Sequence, residues 1–445
     1  MGYLLNRLNP SAILVLGFAV IILIGTGVLS LPIATEDGKG LPFLDAFFTA
    51  TSATCVTGLV VVDTADTFTM FGELSILAMI QIGGLGFMTF TTFLFIMLRK
   101  KISLKERLLL KEAFNASSTA GMVKIAKRIF IFTFVMEFLG GAVLAARFAY
   151  EMPVSKAIYY GFFHAISNFN NAGFDLMGGF RSLTEYVGDP IVVLVICTMI
   201  VTGGLGFIVI NELYEYHQAR RLSLHTKVVL STTAVLLVGG AVLVFLFEYT
   251  NMKTMGTLTL PEKILGAVFH SVTPRTAGAN TLPMADLTHG TLLLTIFLMF
   301  IGGGSGSTAG GIKVTTFTVL VAAIFRQLQG KEDVVLFKRR IVTETILKVM
   351  TLSLSGGFIV IAVTFLLSLT EKNYDFIVYL FEATSAFGTV GLSMGLTPEL
   401  SVIGKVLIII TMFIGRVGII TIVFSIVKKT GRERYQYVKG NVMIG

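Results

Sequence analysis

Long apolar runs separated by short polar ones recur along the whole chain of 445 residues. A membrane-crossing helix needs about 20 mostly apolar residues. Eight runs meet that length, near residues 12–32, 73–98, 129–149, 190–213, 228–247, 291–325, 344–369 and 402–427. Within each successive pair lies a shorter apolar stretch, too brief to cross and suited to a re-entrant segment. These stretches are 41–54, 154–169, 260–273 and 374–387. The pattern predicts an all-α membrane protein built from four consecutive long, short, long units. The first run is too long for the core of a cleavable signal, and no A-x-A-like site follows Ser30 and Leu31, so it is expected to remain as a span.

Composition agrees with that reading. Hydrophobic residues make up 54% of the chain, with a mean hydropathy of +0.84. Charged residues are 14%, against roughly 25% in soluble proteins, too few to cover a water-facing surface. Cys55 and Cys197 lie far apart in apolar surroundings, which removes disulfide scaffolds and zinc sites. The net charge of +9 does not call for nucleic acid, because the basic residues cluster in alternate connections. Arg99, Lys100, Lys101 and Lys105 follow the second run, Arg220 and Arg221 the fourth, Lys338, Arg339 and Arg340 the sixth, and Lys428 and Lys429 the eighth. By the positive-inside rule both termini face the cytoplasm, which predicts a multi-pass protein of the plasma membrane. The basic stretch 99–124 either meets anionic membrane lipid or a protein partner, or is a solvated linker. The apolar end 440–445 is expected to dock on protein. Asn115-Ala116-Ser117 matches a glycosylation acceptor, but on the cytoplasmic side it carries no weight.

Self-comparison shows that the units repeat. The first short stretch reads Phe48-Thr49-Ala50-Thr51-Ser52-Ala53 and runs to Gly58-Leu59; the fourth reads Phe381-Glu382-Ala383-Thr384-Ser385-Ala386 and runs to Gly391-Leu392. The second keeps Phe163, Ala165, Ser167 and Gly173 in register, and the third, Phe269 to Gly278, is one residue shorter before its glycine. The glycines are spaced by 115, 105 and 113 residues, one per unit. A second marker falls inside each following long run: Gly83-Gly84-Leu85-Gly86, Gly203-Gly204-Leu205-Gly206, Gly302-Gly303-Gly304-Ser305 and Gly415-Arg416-Val417-Gly418.

Irregular backbone at membrane depth survives only where it lines a cavity or is buried in protein. Four glycine-ended loops about one axis can present rings of carbonyl oxygens that replace the hydration shell of a monovalent cation. The candidate filter is Val56, Thr57 and Gly58; Asn171, Ala172 and Gly173; Thr276, Ala277 and Gly278; and Thr389, Val390 and Gly391. The fold expected is therefore eight transmembrane helices and four re-entrant pore helices in pseudo-fourfold arrangement around one central pore. Because the four loops differ in sequence, discrimination among potassium, rubidium and sodium should be weaker than in a filter of identical loops. The competing reading is that the small residues only let helices pack closely; it does not account for four matching stretches at corresponding places.

The run Gly302, Gly303, Gly304, Ser305, Gly306, Ser307, Thr308, Ala309, Gly310, Gly311 resembles a phosphate loop by spacing, but Ile312 stands where lysine must follow Gly311, and Lys313 comes one place late. It reads instead as a helix break beneath the filter, with a plain kink as the alternative. Arg416 is the sole charge between Lys405 and Lys428, too deep to snorkel out. It is expected to face a cavity and to bond carbonyls of the broken loop and the pore-helix ends. His164 and His270, even with Ser305, show no nucleophile and base at a recognisable spacing, so no enzyme is expected. A proton relay would need carboxylates such as Glu73, Glu137, Glu212 and Glu344.

On the four loops, the break at 302–311 and Arg416, the chain resembles the Trk/Ktr/HKT superfamily of cation transporters over nearly its whole length, and within it the Ktr type. Trk-type relatives carry an extra helix pair before the first unit, and many plant relatives have serine at the first filter glycine, where this chain has Gly58. Both departures favour the Ktr type and potassium over sodium. The resemblance implies potassium uptake, an intramembrane gate at residues 302–311, a homodimer, and a cytoplasmic ring of RCK-type nucleotide-binding regulatory subunits. It implies potassium as the transported ion, leaves open whether sodium activates, and calls for no organic cofactor in this chain. The repeats are expected at 1–114, 115–221, 222–335 and 336–445. The rival function is a sodium- or proton-coupled secondary cation transporter.

Overall fold

The computed structural model describes residues 10–86, 89–90, 108, 110 and 122–426. The basic stretch 99–121, apart from residues 108 and 110, and the tail from 427 with its apolar end lie outside the described residues.

Four groups follow in chain order. The first holds Pro10–Leu29 (α1), the short helix Phe43–Cys55 (α2) and Met70–Leu85 (α3). The second holds Met122–Phe148 (α4), Val154–Phe169 (α5), Pro190–Leu205 (α6) and Phe207–Ala219 (α7). The third holds Leu224–Glu248 (α8), Leu260–Val272 (α9), His289–Phe300 (α10) and Val314–Leu328 (α11). After a small antiparallel hairpin, Val335–Leu336 (β1) with Arg339–Arg340 (β2), the fourth holds Thr343–Thr370 (α12), Phe376–Gly388 (α13), Val402–Val417 (α14) and Ile419–Ile426 (α15). The second long helix of every group starts at a capping residue, where a side-chain oxygen satisfies a free N–H of the first turn. These caps are Thr69, Asp189, Thr288 and Ser401.

Among the described residues four helices are long and apolar enough to cross a membrane: Ser11–Leu29, Val123–Phe148, Leu224–Glu248 and Thr343–Thr370. Their outward faces carry exposed Leu23, Val235, Leu354 and Phe358, as a lipid-facing surface requires, while the interior combines a larger set of buried apolar side chains with buried Thr, Ser and Asn. The unbroken spans expected at 190–213 and 402–427 are not found. α6 and α7 meet at 96°, and α14 and α15 at 92°. The cause is Gly206 and Gly418, whose φ of +101° and +88° end a right-handed helix. Gly86 closes α3 in the same way, with φ +81°. The run at 291–325 is likewise split, by a loop between α10 and α11. Thus the glycine markers sit at helix ends, where sequence reasoning put them in mid-helix.

The groups close into a cycle. Each second helix touches the short helix of the next group: α3 meets α5, α6 meets α9, α10 meets α13, and α14 returns to α2. The last junction is fastened by Lys405 and Asp45, 2.6 Å apart and both largely covered.

Candidate functional site

The twelve candidate filter residues come together in one ring. Each short helix gives way to a residue in the left-handed region: Val56 (φ 56°), Asn171 (60°), Thr276 (73°) and Thr389 (50°). Two positions on, each glycine is left-handed too, at 87°, 70°, 79° and 95° for Gly58, Gly173, Gly278 and Gly391. Such conformations are rare for residues with a side chain. Alternating handedness turns successive carbonyls toward one side, where an ordinary strand would alternate them. A Cβ on Gly58 would lie 2.2 Å from the Ala172 carbonyl oxygen, on Gly173 2.5 Å from Ala277 O, on Gly278 2.6 Å from Val390 O, and on Gly391 2.2 Å from Thr57 O. Every glycine thus abuts the carbonyl of the next loop, and the fourth closes on the first.

The loops are braced from behind by a hydroxyl that sequence comparison matched but gave no role. Ser52 accepts the Gly58 N–H at 3.1 Å and Ser385 the Gly391 N–H at 3.1 Å. Ser167 donates to Phe174 O at 2.7 Å, and Thr273 donates to Ala279 O. The N–H before each glycine also returns to that residue's carbonyl: Thr57, Ala172 and Val390 reach Ser52, Ser167 and Ser385 at 2.8 Å, and Ala277 reaches Thr273 at 3.0 Å. The one-residue deficit of the third loop is absorbed here, since its bond spans four residues where the others span five.

The first glycine of three of the four markers meets the end of a short helix, while Gly302 of the third packs on Gly310 O within its own loop. A Cβ at Gly83, Gly203 or Gly415 would fall 2.0, 2.0 or 2.1 Å from the carbonyls of Thr54, Phe169 and Phe387. The loop 302–311 lies beneath the ring. On one side Gly304 N–H donates to Gly204 O (2.7 Å), Thr308 N–H to Gly203 O (3.3 Å), and Phe207 N–H to Gly306 O (2.9 Å). On the other, a Cβ at Gly310 would strike Thr389 Oγ1 at 2.0 Å, and one at Gly311 the Gly388 Cα at 3.2 Å. Its ends are joined by Gly302 N–H to Ile312 O (2.8 Å) and Val314 N–H to Gly303 O (3.0 Å). Glycine is needed because backbone crowds the loop from both sides.

Arg416, at the end of α14, donates to the carbonyls of Thr308 in this loop and of Gly83, and to Gly84 O at 3.2 Å. The loop contact matches expectation. The second partner does not: it is the end of α3, and the ends of α2, α5 and α13 are already covered by Gly83, Gly203 and Gly415. Lys313, which sequence reasoning weighed only as a misplaced phosphate-loop lysine, donates to Ala309 O (2.6 Å) and Gly310 O (3.2 Å). A third cation, Arg275, is buried at the base of the third loop and reaches Thr233 Oγ1 at 3.3 Å.

His164 bonds Tyr160 O (2.7 Å) and His270 bonds Thr295 Oγ1 (2.9 Å), so both are packed side chains of short helices. Glu137 is buried and accepts from Gln81 (3.2 Å) and Asn170 (3.0 Å), steadying the second loop. Glu73 accepts from Tyr159 (2.5 Å), and Glu212 from Thr226 (2.6 Å). No hydrogen-bonded chain joins these carboxylates among the described residues. Outside the spans, Asp175 follows Gly173 by two positions and accepts the Met177 N–H at 3.0 Å. Burial pushes its carboxyl up to about 6.

The chain belongs to the TrkH family of cation transport proteins, whose model matches residues 8–436. It is a multi-pass membrane protein of a transporter family, not an enzyme. It is 45% identical over 439 residues to the Ktr system potassium uptake protein B of Bacillus subtilis, covering 99% of this chain and 97% of that one. It is 42% identical over 445 residues to the potassium/sodium uptake protein NtpJ of Enterococcus hirae, covering 99% and 98%. The fold is similar to the crystal structure of the potassium transporter TrkH from Vibrio parahaemolyticus, with a TM-score of 0.70 at 18% identity over 92% of this chain and 84% of that one.

Proposed function

We propose that this chain is the membrane subunit of a Ktr-type potassium uptake system in the plasma membrane, passing potassium down its electrochemical gradient. The observation that carries the reading is the cyclic contact of the four glycine loops, each glycine against the next loop's carbonyl. A dehydrated potassium ion on the axis is coordinated by those carbonyls, which stand in for its water shell. The C-terminal ends of α2, α5, α9 and α13 direct partial negative charge toward the same point. The four groups correspond to repeats 1–114, 115–221, 222–335 and 336–445, eight spans in all with both termini cytoplasmic.

The loop 302–311 is the gate. It lies across the route beneath the filter and is held by Arg416 and Lys313. A unit charge 4 Å from the ion costs about 4 kcal/mol at an effective dielectric constant of 20, so Arg416 opposes permeation as well as tying the loop. Release of the loop by a cytoplasmic RCK-type nucleotide-binding partner opens the path, and the assembly is a homodimer. Sodium is the second permeant or activating ion, a reading supported by the similarity to the potassium/sodium uptake protein of Enterococcus hirae.

Potassium flux into proteoliposomes, with voltage clamped and sodium present or absent, tests the proposal. Flux that reverses at the Nernst potential of potassium supports it. Flux locked to a sodium or proton gradient assigns the chain to coupled transport instead.

A further inference from the structure

Below the loop 302–311 lies a cavity of about 500 Å³. Among the described residues its wall contains Lys313, Lys348 and Arg416 and no aspartate or glutamate. Three helices also begin at it: α7 with Phe207, α11 with Lys313 and Thr316, and α15 with Ile419, Ile420 and Thr421. The first turn of a helix leaves N–H groups without intrahelical partners and carries partial positive charge; the first of these in α7 and α11, Phe207 N–H and Val314 N–H, are already taken by Gly306 O and Gly303 O, so the later ones of the turn face the cavity. Ser305, Ser307, Thr316 and Thr421 add hydroxyls to the wall. Every charge that the described residues place in this cavity therefore has one sign, and the sign is that of the ion proposed to cross it.

Lys313 and Arg416 are occupied by backbone carbonyls, which neutralise nothing. Lys348 has neither hydrogen bond nor ion pair with any described residue. Ammonium, guanidinium, hydroxyl and helix-start N–H groups together form the donor set that holds phosphate oxygens. Beside them Leu14, Phe18, Leu352 and Phe424 supply an apolar wall, against which an acyl chain could lie.

We propose that this cavity is a binding site for a phosphate-class oxyanion, as free phosphate or as the head group of an anionic lipid, with Lys348 its principal free charge. Occupancy offsets the positive field of Lys313 and Arg416 and so raises potassium flux. The binding half stands on the cavity alone; the flux half rests on the permeation reading above.

The test uses the full chain purified in maltoside detergent. Inorganic phosphate is titrated at constant potassium concentration and ionic strength, with chloride as the replacement anion, and thermal stability is followed. A parallel arm adds phosphatidic acid or phosphatidylcholine and reads retained lipid by native mass spectrometry. Saturable stabilisation by phosphate identifies the free anion as ligand; retention of phosphatidic acid but not phosphatidylcholine, without a phosphate effect, identifies the head group. In either case Lys348→Met, which breaks no hydrogen bond or ion pair among the described residues, should weaken binding about tenfold or more. Absence of both effects, or unaltered binding by Lys348→Met, overturns the site. Binding that leaves potassium flux unchanged in a protein that transports overturns the regulatory half. A protein that binds phosphate yet passes no potassium would count against the transport reading and leave the site standing.

Discussion

Gly58→Ser tests the ring where its geometry is tightest. The Cβ would sit 2.2 Å from the Ala172 carbonyl oxygen, when real Cβ contacts do not fall below 3.0 Å. The substituted residue would also have to hold φ near +87°. A residue held in a sparsely populated backbone region costs about 1–3 kcal/mol, and the chain can shed that cost only by turning the loop. Either movement takes the Ala172 or Thr57 carbonyl off the axis. At 1.4 kcal/mol per factor of ten, potassium affinity should fall by about tenfold to a hundredfold, and relative sodium entry should rise. The other positions set an internal scale: Gly391→Ser, also at 2.2 Å, should be as severe, while Gly173→Ser at 2.5 Å and Gly278→Ser at 2.6 Å should be milder. Gly27→Ser, with nothing within 4 Å, is the control. The assay is uptake of potassium and sodium across a concentration series in proteoliposomes with matched protein content. Wild-type affinity and selectivity in Gly58→Ser, or losses equal to those of Gly27→Ser, would refute the reasoning.

Arg416→Gln keeps hydrogen-bond donors but loses the charge, so basal potassium flux should rise at least about tenfold; normal flux with lowered thermal stability would make Arg416 purely structural. Deleting residues 304–307 should raise basal flux and weaken dependence on a cytoplasmic partner, whereas a mere kink would lose flux with its packing. Ser385→Ala removes the brace on the Gly391 N–H, at about 1–3 kcal/mol for an unsatisfied buried donor, and should degrade discrimination between rubidium and sodium more than it lowers protein stability. Burial holds Asp175 at about 6, up from 3.8, so it is charged at neutral pH and loses its charge as the pH falls through 6. Potassium uptake should decline over the same interval of external pH, and Asp175→Asn should abolish that dependence; a decline that persists in the variant would place the titrating group elsewhere.

The repeat was legible because its glycines answer to steric demands that no other residue meets: Gly58, Gly173, Gly278 and Gly391 each combine a left-handed φ with a carbonyl at the Cβ position. The residues two places earlier were legible as neighbours but not as special. Val56, Asn171, Thr276 and Thr389 are of three ordinary types, and their left-handed turn is imposed by the braces behind the loop. The sharp breaks at Gly206 and Gly418 were hidden for another reason: hydropathy runs unchanged across them, through Phe207-Ile208-Val209 and Ile419-Ile420-Thr421, so an apolar segment that turns aside looks like one that goes straight. Lys313 was visible yet misjudged, since a motif comparison asks what stands at a fixed offset and not which carbonyls a side chain can reach. The match of Ser52 with Ser385 was read only as part of the repeat; their shared bond to a glycine N–H gives it a mechanical reason.

The contact of each glycine with the next carbonyl makes the ring behave like the stones of an arch. No side chain separates neighbouring loops, so none can rotate to let them draw closer, and the aperture can yield outward but not inward. A cation larger than the resting opening can be admitted by a slight spreading of the loops. A smaller one cannot be followed inward and must cross with part of its coordination unmet, unless it carries water with it. If the ring is the potassium filter proposed above, rejection of small ions comes from the incompressibility of the main chain, and acceptance of large ones from the give of the hydroxyl braces behind it.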